Sequence, residues 1–227
     1  MIYDHLEAAV RRAAVIDIRD IVVDALLSEV IAGRSSLRAV RHPLGFFCLP
    51  VHRHGDEGIC VHVWPDRPEP ERLTTSPFHC HSWELLSHVL YGTVGNQLIE
   101  VTAGDAYRVF EARSGAAGDE LVATPALVAA RGLTPEYRTA GESYGLAAGV
   151  FHASVIANGS PAATVALGRH RPGQVDLTLG NPATLTHRVE RERCSPAETR
   201  LIAGQLADRL ADATTPDSAP LAQATAR

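Results

Sequence analysis

Residues 78–92 read FHCHSWELLSHVLYG and place two histidines, His79 and His81, on either side of one residue in a run typical of a β-strand. Side chains two residues apart on a strand project to the same side of a sheet. Both imidazoles could therefore bind one metal ion, while Cys80 between them faces the other way and has no predicted catalytic role. The stretch predicts two ligands of a metal site inside a β-domain.

A third candidate ligand is His152, in the segment YGLAAGVFHASVIANG at residues 144–159. A glycine-containing turn leads there into a strand that begins with the histidine. The two segments are far apart in the chain, so they are expected to form different strands that meet in the core. Three histidines with positions left for water and substrate are typical of a catalytic rather than a structural metal centre.

The chain around these segments predicts one β-domain with helical ends. Residues 37–182 carry short apolar or alternating runs separated by Gly, Pro, Asn and Asp, which is typical of a β-sandwich or barrel. Residues 1–36 form a predicted helical extension that ends near Gly33. Residues 183–213 form a predicted linker and helix, and residues 214–227 have no periodic pattern and are predicted to be disordered.

The C-terminal helix has a clear predicted start. Ser195 is the predicted N-cap, Pro196 takes the first helical position, and Glu198 completes a capping box. Four apolar residues follow and are predicted to form one stripe packed on the β-domain: Leu201, Ile202, Leu206 and Leu210.

Composition and charge exclude several classes of protein. All 21 basic residues are arginine, so lysine-based Schiff-base chemistry and a P-loop are excluded. The net charge is −5 with scattered arginines, which predicts no nucleic-acid partner. No apolar run reaches the ~20 residues that span a bilayer, and the charged N-terminus lacks a signal sequence. A cytoplasmic protein with no membrane partner is expected, with four reduced cysteines: Cys48, Cys60, Cys80 and Cys194.

Two segments resemble the two sequence motifs of the cupin family. HCHSWELLSHVLYG is similar to the first motif, HxH followed by a glutamate and a glycine, and GLAAGVFHASVIANG is similar to the second, with Asn158 as its asparagine. The resemblance covers about residues 40–180. It implies a mainly β fold, the cupin-type double-stranded β-helix or jelly-roll barrel, with helical N-terminal and C-terminal extensions. It also implies a small-molecule substrate, a homodimer, and one divalent transition metal on His79, His81 and His152, with Fe(II) favoured and Mn, Ni, Zn or Co as alternatives.

The chain departs from these motifs at the glutamate. The family's glutamate position corresponds to Leu85, and Glu84 lies one residue earlier, where simple alternation turns it to the outer face. A bulge or turn at Ser82–Trp83 could still bring Glu84 inward as a fourth ligand or a catalytic acid. Otherwise three histidines act alone, which resembles the thiol dioxygenases, a cupin branch with Fe(II) and O2 at a neutral three-histidine centre. The second motif also lacks the usual proline before its glycine.

Candidate substrate contacts are less sharply defined. In CVHVW, Cys60, His62 and Trp64 share one face of a strand and Val61 and Val63 the other, and either face could point inward. If the first face does, His62 and Trp64 bind substrate. His88 has the parity of Glu84 and is expected outside the ligand set. One of three arginines could bind a substrate carboxylate, namely Arg108, Arg131 or Arg138, and one of three tyrosines could supply a hydroxyl, namely Tyr107, Tyr137 or Tyr144. Among these six, Arg108 and Arg138 are preferred for substrate binding and Tyr144 as a catalytic residue.

Three functions are compatible with these residues. The first is a mononuclear non-haem metal oxygenase, dioxygenase-like, that acts on a small polar molecule with O2. The second is a redox-neutral metal-dependent isomerase or lyase, in which the metal acts as a Lewis acid. The third is a metal- or ligand-binding protein without turnover. Fold alone does not choose among them.

Overall fold

The strands form two antiparallel sheets, so the chain is mainly β as predicted. The computed structural model describes residues 1–66, 72–115, 118–156 and 159–212. Sheet A has six strands in the order β1 (Val40–His42), β2 (Phe46–His54), β3 (Glu57–Trp64), β11 (Ala162–His170), β5 (Trp83–Tyr91) and β9 (Ser143–Leu146). Sheet B has seven strands: β10 (His152–Ile156), β4 (His79–Cys80), β12 (Leu177–Gly180), β6 (Thr93–Gly115), β7 (Gly118–Gly132), β13 (His187–Val189) and β8 (Glu136–Thr139), which pairs with β6.

Helices from both ends of the chain cover one face of sheet A. They are α1 (Ile2–Arg11), α2 (Val15–Asp20), a π-helical segment (Ile21–Leu27), α3 (Ser28–Ile31) and α4 (Pro196–Asp212). Their apolar side chains share one core with Val61 and Val63 of β3. The N-terminal helices therefore cover the chain's own sheet, and the homodimer stays a prediction. None of the described helices is long and apolar enough to cross a membrane.

The other face of sheet A lines a cavity of about 400 Å³. His62 and Trp64 of β3 and Ser87 of β5 face it from sheet A, while His79 and His152 face it from sheet B. We call this space the central cavity. Alternation along β3 thus answers the question left open by the sequence: the valines lie under the helices, and the polar and aromatic residues face the cavity.

The motif stretch 78–92 is divided between the two sheets, and His81 lies outside β4, which corrects the expectation that His79 and His81 share one strand. β4 ends at Cys80 in sheet B, and β5 begins at Trp83 in sheet A. The chain therefore crosses from one sheet to the other at His81 and Ser82. Gly92 ends the stretch with φ of +76°, a conformation that favours glycine.

The start of α4 carries the predicted capping box. Ser195 N–H donates to Glu198 Oε2 at 2.7 Å, and Glu198 N–H donates to Ser195 Oγ at 3.1 Å. Of the predicted apolar stripe, Ile202, Leu206 and Leu210 are buried, but Leu201 is 59% exposed and lies outside it. The predicted disordered tail, 214–227, lies outside the described residues.

We expect Ser195→Ala to lower the free energy of unfolding by about 1 kcal/mol, because it removes the N-cap acceptor of α4. Urea denaturation of the purified protein measures the change. Ser195→Asp keeps a side-chain acceptor at this position and is the matched control, with stability close to that of the wild type. Equal losses in both variants would contradict a capping role for the hydroxyl.

Candidate metal centre

Three histidines from distant parts of the chain meet at the central cavity. One ring nitrogen from each of His79, His81 and His152 lies within 4.8 Å of the other two. The register explains the meeting, because β10 pairs with β4 so that His152 lies directly opposite His79. We call this group the three-histidine site. Its donor atoms are close enough to one another for a single ion to bind all three.

Backbone carbonyls orient two of the imidazoles. His79 Nδ1 lies 2.8 Å from the Pro77 carbonyl oxygen, and His152 Nδ1 lies 3.1 Å from that of Val150. A carbonyl only accepts hydrogen bonds, so Nδ1 carries the proton and Nε2 keeps its lone pair for a ligand role. His81 is held differently, since its ring stacks on Trp83 with centroids 4.1 Å apart.

Burial keeps all three imidazoles neutral. It lowers the pKa of His79 and, together with the neighbouring His79, lowers that of His152 to about 3. The pKa of His81 lies well below its ordinary value because of burial and the nearby His79 and His152. Neutral imidazole is the form that binds metal, so the site needs no deprotonation near neutral pH.

Glu84 does not reach the three-histidine site, which corrects its predicted roles as ligand and catalytic residue. Its carboxylate accepts a hydrogen bond from Arg171 at 2.6 Å, and its side chain is 46% exposed. Within β5, Leu85 faces the central cavity, so Glu84 faces away by alternation. The crossing at Ser82 introduces no shift that would turn Glu84 inward.

We expect Glu84→Ala to keep the full metal content of the wild type, because the removed carboxylate only pairs with Arg171 on the outer surface. Inductively coupled plasma mass spectrometry after reconstitution measures the content per chain. Glu57→Ala, which removes another partly exposed, arginine-paired acid, serves as the control. If Glu84→Ala loses metal and Glu57→Ala does not, Glu84 is a metal ligand after all.

The predicted substrate residues divide into cavity-lining and distant groups. His62, Trp64 and Tyr144 line the central cavity. Burial raises the pKa of Tyr144, whose side chain is hydrogen-bonded to Ser87 across the β5–β9 pair. The phenol is therefore protonated and directed toward the cavity.

Arg108 and Arg138 do not line the cavity, which corrects their predicted role in substrate binding. Arg108 donates hydrogen bonds to the carbonyl oxygens of Pro182 and Thr124 at 2.8 and 2.7 Å, so it fixes backbone. Arg138 donates to Glu136 at 2.9 Å. The positions of both follow from strand pairing that the sequence alone does not reveal.

The remaining candidate residues also make local contacts away from the three-histidine site. Arg131 pairs with Glu100 on the surface, Tyr107 contacts the ring of Phe78, and Tyr137 is exposed. His88 is 1% exposed and its Nδ1 lies 2.8 Å from Ser143 Oγ, away from the three-histidine site. Asn158 lies outside the described residues.

Several cavity residues were not predicted. His42 and Phe46 stack with centroids 4.3 Å apart and form a wall, while Arg53 and Arg191 bring positive charge to the lining. Trp83 packs over Gly168, where a side chain would meet the indole ring at 2.7 Å. Trp83 has the same parity along β5 as Leu85, which is the sequence signal for its position on the cavity side.

No protein-family model matches the chain, and no curated protein matches it significantly. Solved structures similar to it include the Fe(II) form of HppE, at 12% identity, and hydroxypropylphosphonic acid epoxidase from S. wedmorenis, at 14% identity. Both have a TM-score of 0.32, and each alignment covers 55% of this chain and 50% of the other. The chain thus spans about half the length of these structures, and likeness at this level does not define its function.

Proposed function

We propose that the chain is a cupin-type, mononuclear non-haem oxygenase that uses Fe(II) and O2 to oxidise a small polar molecule in the cytoplasm. The observation that carries the proposal is the convergence of three neutral imidazoles on an interior cavity. Among the described residues, no carboxylate joins this group, so coordination positions are left for other ligands. The proposed fold is the double-stranded β-helix of that family.

The donor set fits a divalent transition metal. Imidazole suits iron, zinc, copper and nickel, and the Nδ1 contacts of His79 and His152 leave Nε2 available to it. Fe(II), when bound, would supply the redox chemistry that lets O2 react with an organic substrate. The protein's part is to orient the imidazoles, to hold the substrate and to exclude water.

The cavity residues suit a polar substrate of modest size. Trp64 and Trp83 provide apolar walls, Arg53 and Arg191 carry positive charge, and the Tyr144 hydroxyl can donate or accept a hydrogen bond. A volume of about 400 Å³ admits a small metabolite rather than a polymer segment. Arg53 favours a substrate with an acidic group, whereas the Arg191 guanidinium is already paired with Asp119 at 2.6 Å.

The decisive test measures two properties separately: whether the bound iron has an open coordination position, and whether the protein consumes O2. Apoprotein loaded anaerobically with Fe(II) and exposed to nitric oxide should give the electron paramagnetic resonance signal of an iron–nitrosyl complex, because nitric oxide binds where O2 binds. An oxygen electrode then screens small amino and carboxylic acids for Fe(II)-dependent consumption. Turnover under anaerobic conditions with Zn²⁺ or Mn²⁺ would instead establish a redox-neutral isomerase or lyase.

We expect Tyr144→Phe to retain metal and to lower kcat by about 100-fold or more, because it removes the hydroxyl that faces the cavity while keeping the ring. Metal analysis and steady-state O2 consumption, with kcat and KM separated, measure the effect. Tyr107→Phe removes a phenol that contacts Phe78 instead and should behave as wild type. Unchanged kinetics in Tyr144→Phe would assign the residue to packing alone.

A further inference from the structure

A second group of metal-binding side chains lies on sheet A. One ligand atom from each of Cys48, Cys60 and His62 lies within 4.8 Å of the other two. The strand register produces this arrangement, because Cys48 of β2 lies directly opposite His62 of β3, and Cys60 precedes His62 by two residues on the same face. All three residues also line the central cavity.

The donor set differs in kind from the three-histidine site. Two thiols and one imidazole form a soft ligand set, of the kind that binds Zn²⁺ or Cu(I). The Arg53 guanidinium donates a hydrogen bond to Cys60 Sγ at 3.1 Å, and a cation beside a thiol favours the thiolate that binds metal. Two thiolates and a neutral imidazole would balance the charge of one divalent ion.

A disulfide fits the two cysteines less well. Cys48 is paired with His62 rather than with Cys60, so the two cysteines are diagonal neighbours on adjacent strands. Diagonal neighbours are about 7–8 Å apart, whereas disulfides usually join Cα atoms about 4.4–6.8 Å apart.

We propose that Cys48, Cys60 and His62 bind a second, soft metal ion of the zinc type, with its open coordination position toward the central cavity. We call this group the thiolate site. His62 then acts as a metal ligand rather than as a substrate contact. The proposal stands apart from the proposed oxygenase function, because the two groups share the cavity but no ligand.

Cobalt distinguishes the two sites by their donor atoms. Titration of reduced apoprotein with Co²⁺ under anaerobic conditions should produce a near-ultraviolet thiolate-to-cobalt charge-transfer band in the wild type. The band should persist in His81→Ala, which disrupts the three-histidine site only, and should disappear in Cys48→Ser and Cys60→Ser. Cys194→Ser, which removes a buried thiol elsewhere, is the matched control and should keep the band.

Zinc analysis provides the second readout. Zinc content should be about two ions per chain in the wild type and about one in Cys60→Ser or His81→Ala. A folded wild type that binds Co²⁺ without the charge-transfer band would overturn the thiolate site, even if the cysteine variants failed to fold. A band of undiminished intensity in Cys60→Ser would overturn it as well, because one of the two thiolate ligands has then been removed without effect. If instead only the three-histidine site is mistaken, the wild type binds one zinc ion and still shows the band.

Discussion

His81→Ala is expected to abolish stable metal binding at the three-histidine site and, with it, Fe(II)-dependent O2 consumption. The substitution leaves two imidazoles, His79 and His152, in a group that has no carboxylate to replace the lost ligand. Removing a group that only hydrogen-bonds to a metal ligand already lowers metal affinity by about 10–100-fold. Removing a ligand itself should therefore lower the affinity by more than about 100-fold. Iron content and nitric-oxide binding measure the effect directly.

A surface histidine provides the control for this experiment. His54→Ala removes an exposed imidazole at the end of β2 and should retain both iron and O2 consumption. His81 also stacks on Trp83, so circular dichroism and thermal unfolding are needed to show that the variant remains folded. A folded His81→Ala protein that binds iron as the wild type does would remove the three-histidine site from the proposed function.

Gly92→Ala is expected to lower the free energy of unfolding by about 2–5 kcal/mol. A positive φ costs a non-glycine residue about 1–2 kcal/mol, and φ is +76° here. In addition, the new Cβ would lie 2.8 Å from Ala162 Cα and closer still to the carbonyl oxygen of Pro161. Both contacts are with backbone, which cannot rotate away, so overpacking adds about 1–3 kcal/mol. Urea denaturation measures the loss.

Gly55→Ala separates these two contributions. Gly55 also has a positive φ, +55°, but a Cβ built there meets nothing within 4 Å. Its substitution should therefore cost only the conformational part, about 1–2 kcal/mol. Equal destabilisation in the two variants would contradict a contribution from the close contact between residue 92 and the backbone of Pro161 and Ala162.

The identity of the three histidines could be predicted because each is marked by a local pattern, whereas their meeting depends on the pairing of β10 with β4. His79 and His81 stand two residues apart, and a glycine-containing turn marked His152 as the start of another strand. The capping box of α4 was predictable for the same reason, since Ser195 and Glu198 contact each other within one helical turn. Metal binding itself stays a prediction.

The position of Glu84 needed information beyond alternation. The sequence left open whether a bulge at Ser82–Trp83 would turn the carboxylate inward. The structure shows that the chain changes sheets there, so that Leu85 takes the inward position and Glu84 pairs with Arg171. A sheet crossing has no signature in the hydrophobic period of the segment.

Contacts between strands were beyond the reach of the sequence. Cys48 and His62 belong to neighbouring strands, and only the register shows that they are opposite each other. Arg108 fixes carbonyl groups of Pro182 and Thr124, which depends on strands far apart in the chain. A one-residue change of register would turn all these side chains to the other face.

The pairing of His79 with His152 also determines when a metal ion can be captured during folding. His79 and His81 are close together in the chain, but His152 joins them only after β10 has paired with β4 and β6, across a long stretch of chain. The proposed metal ion would therefore have its full ligand set only in the native state, and its binding would draw the equilibrium toward that state by mass action. Loading of the proposed three-histidine site would then follow folding rather than direct it.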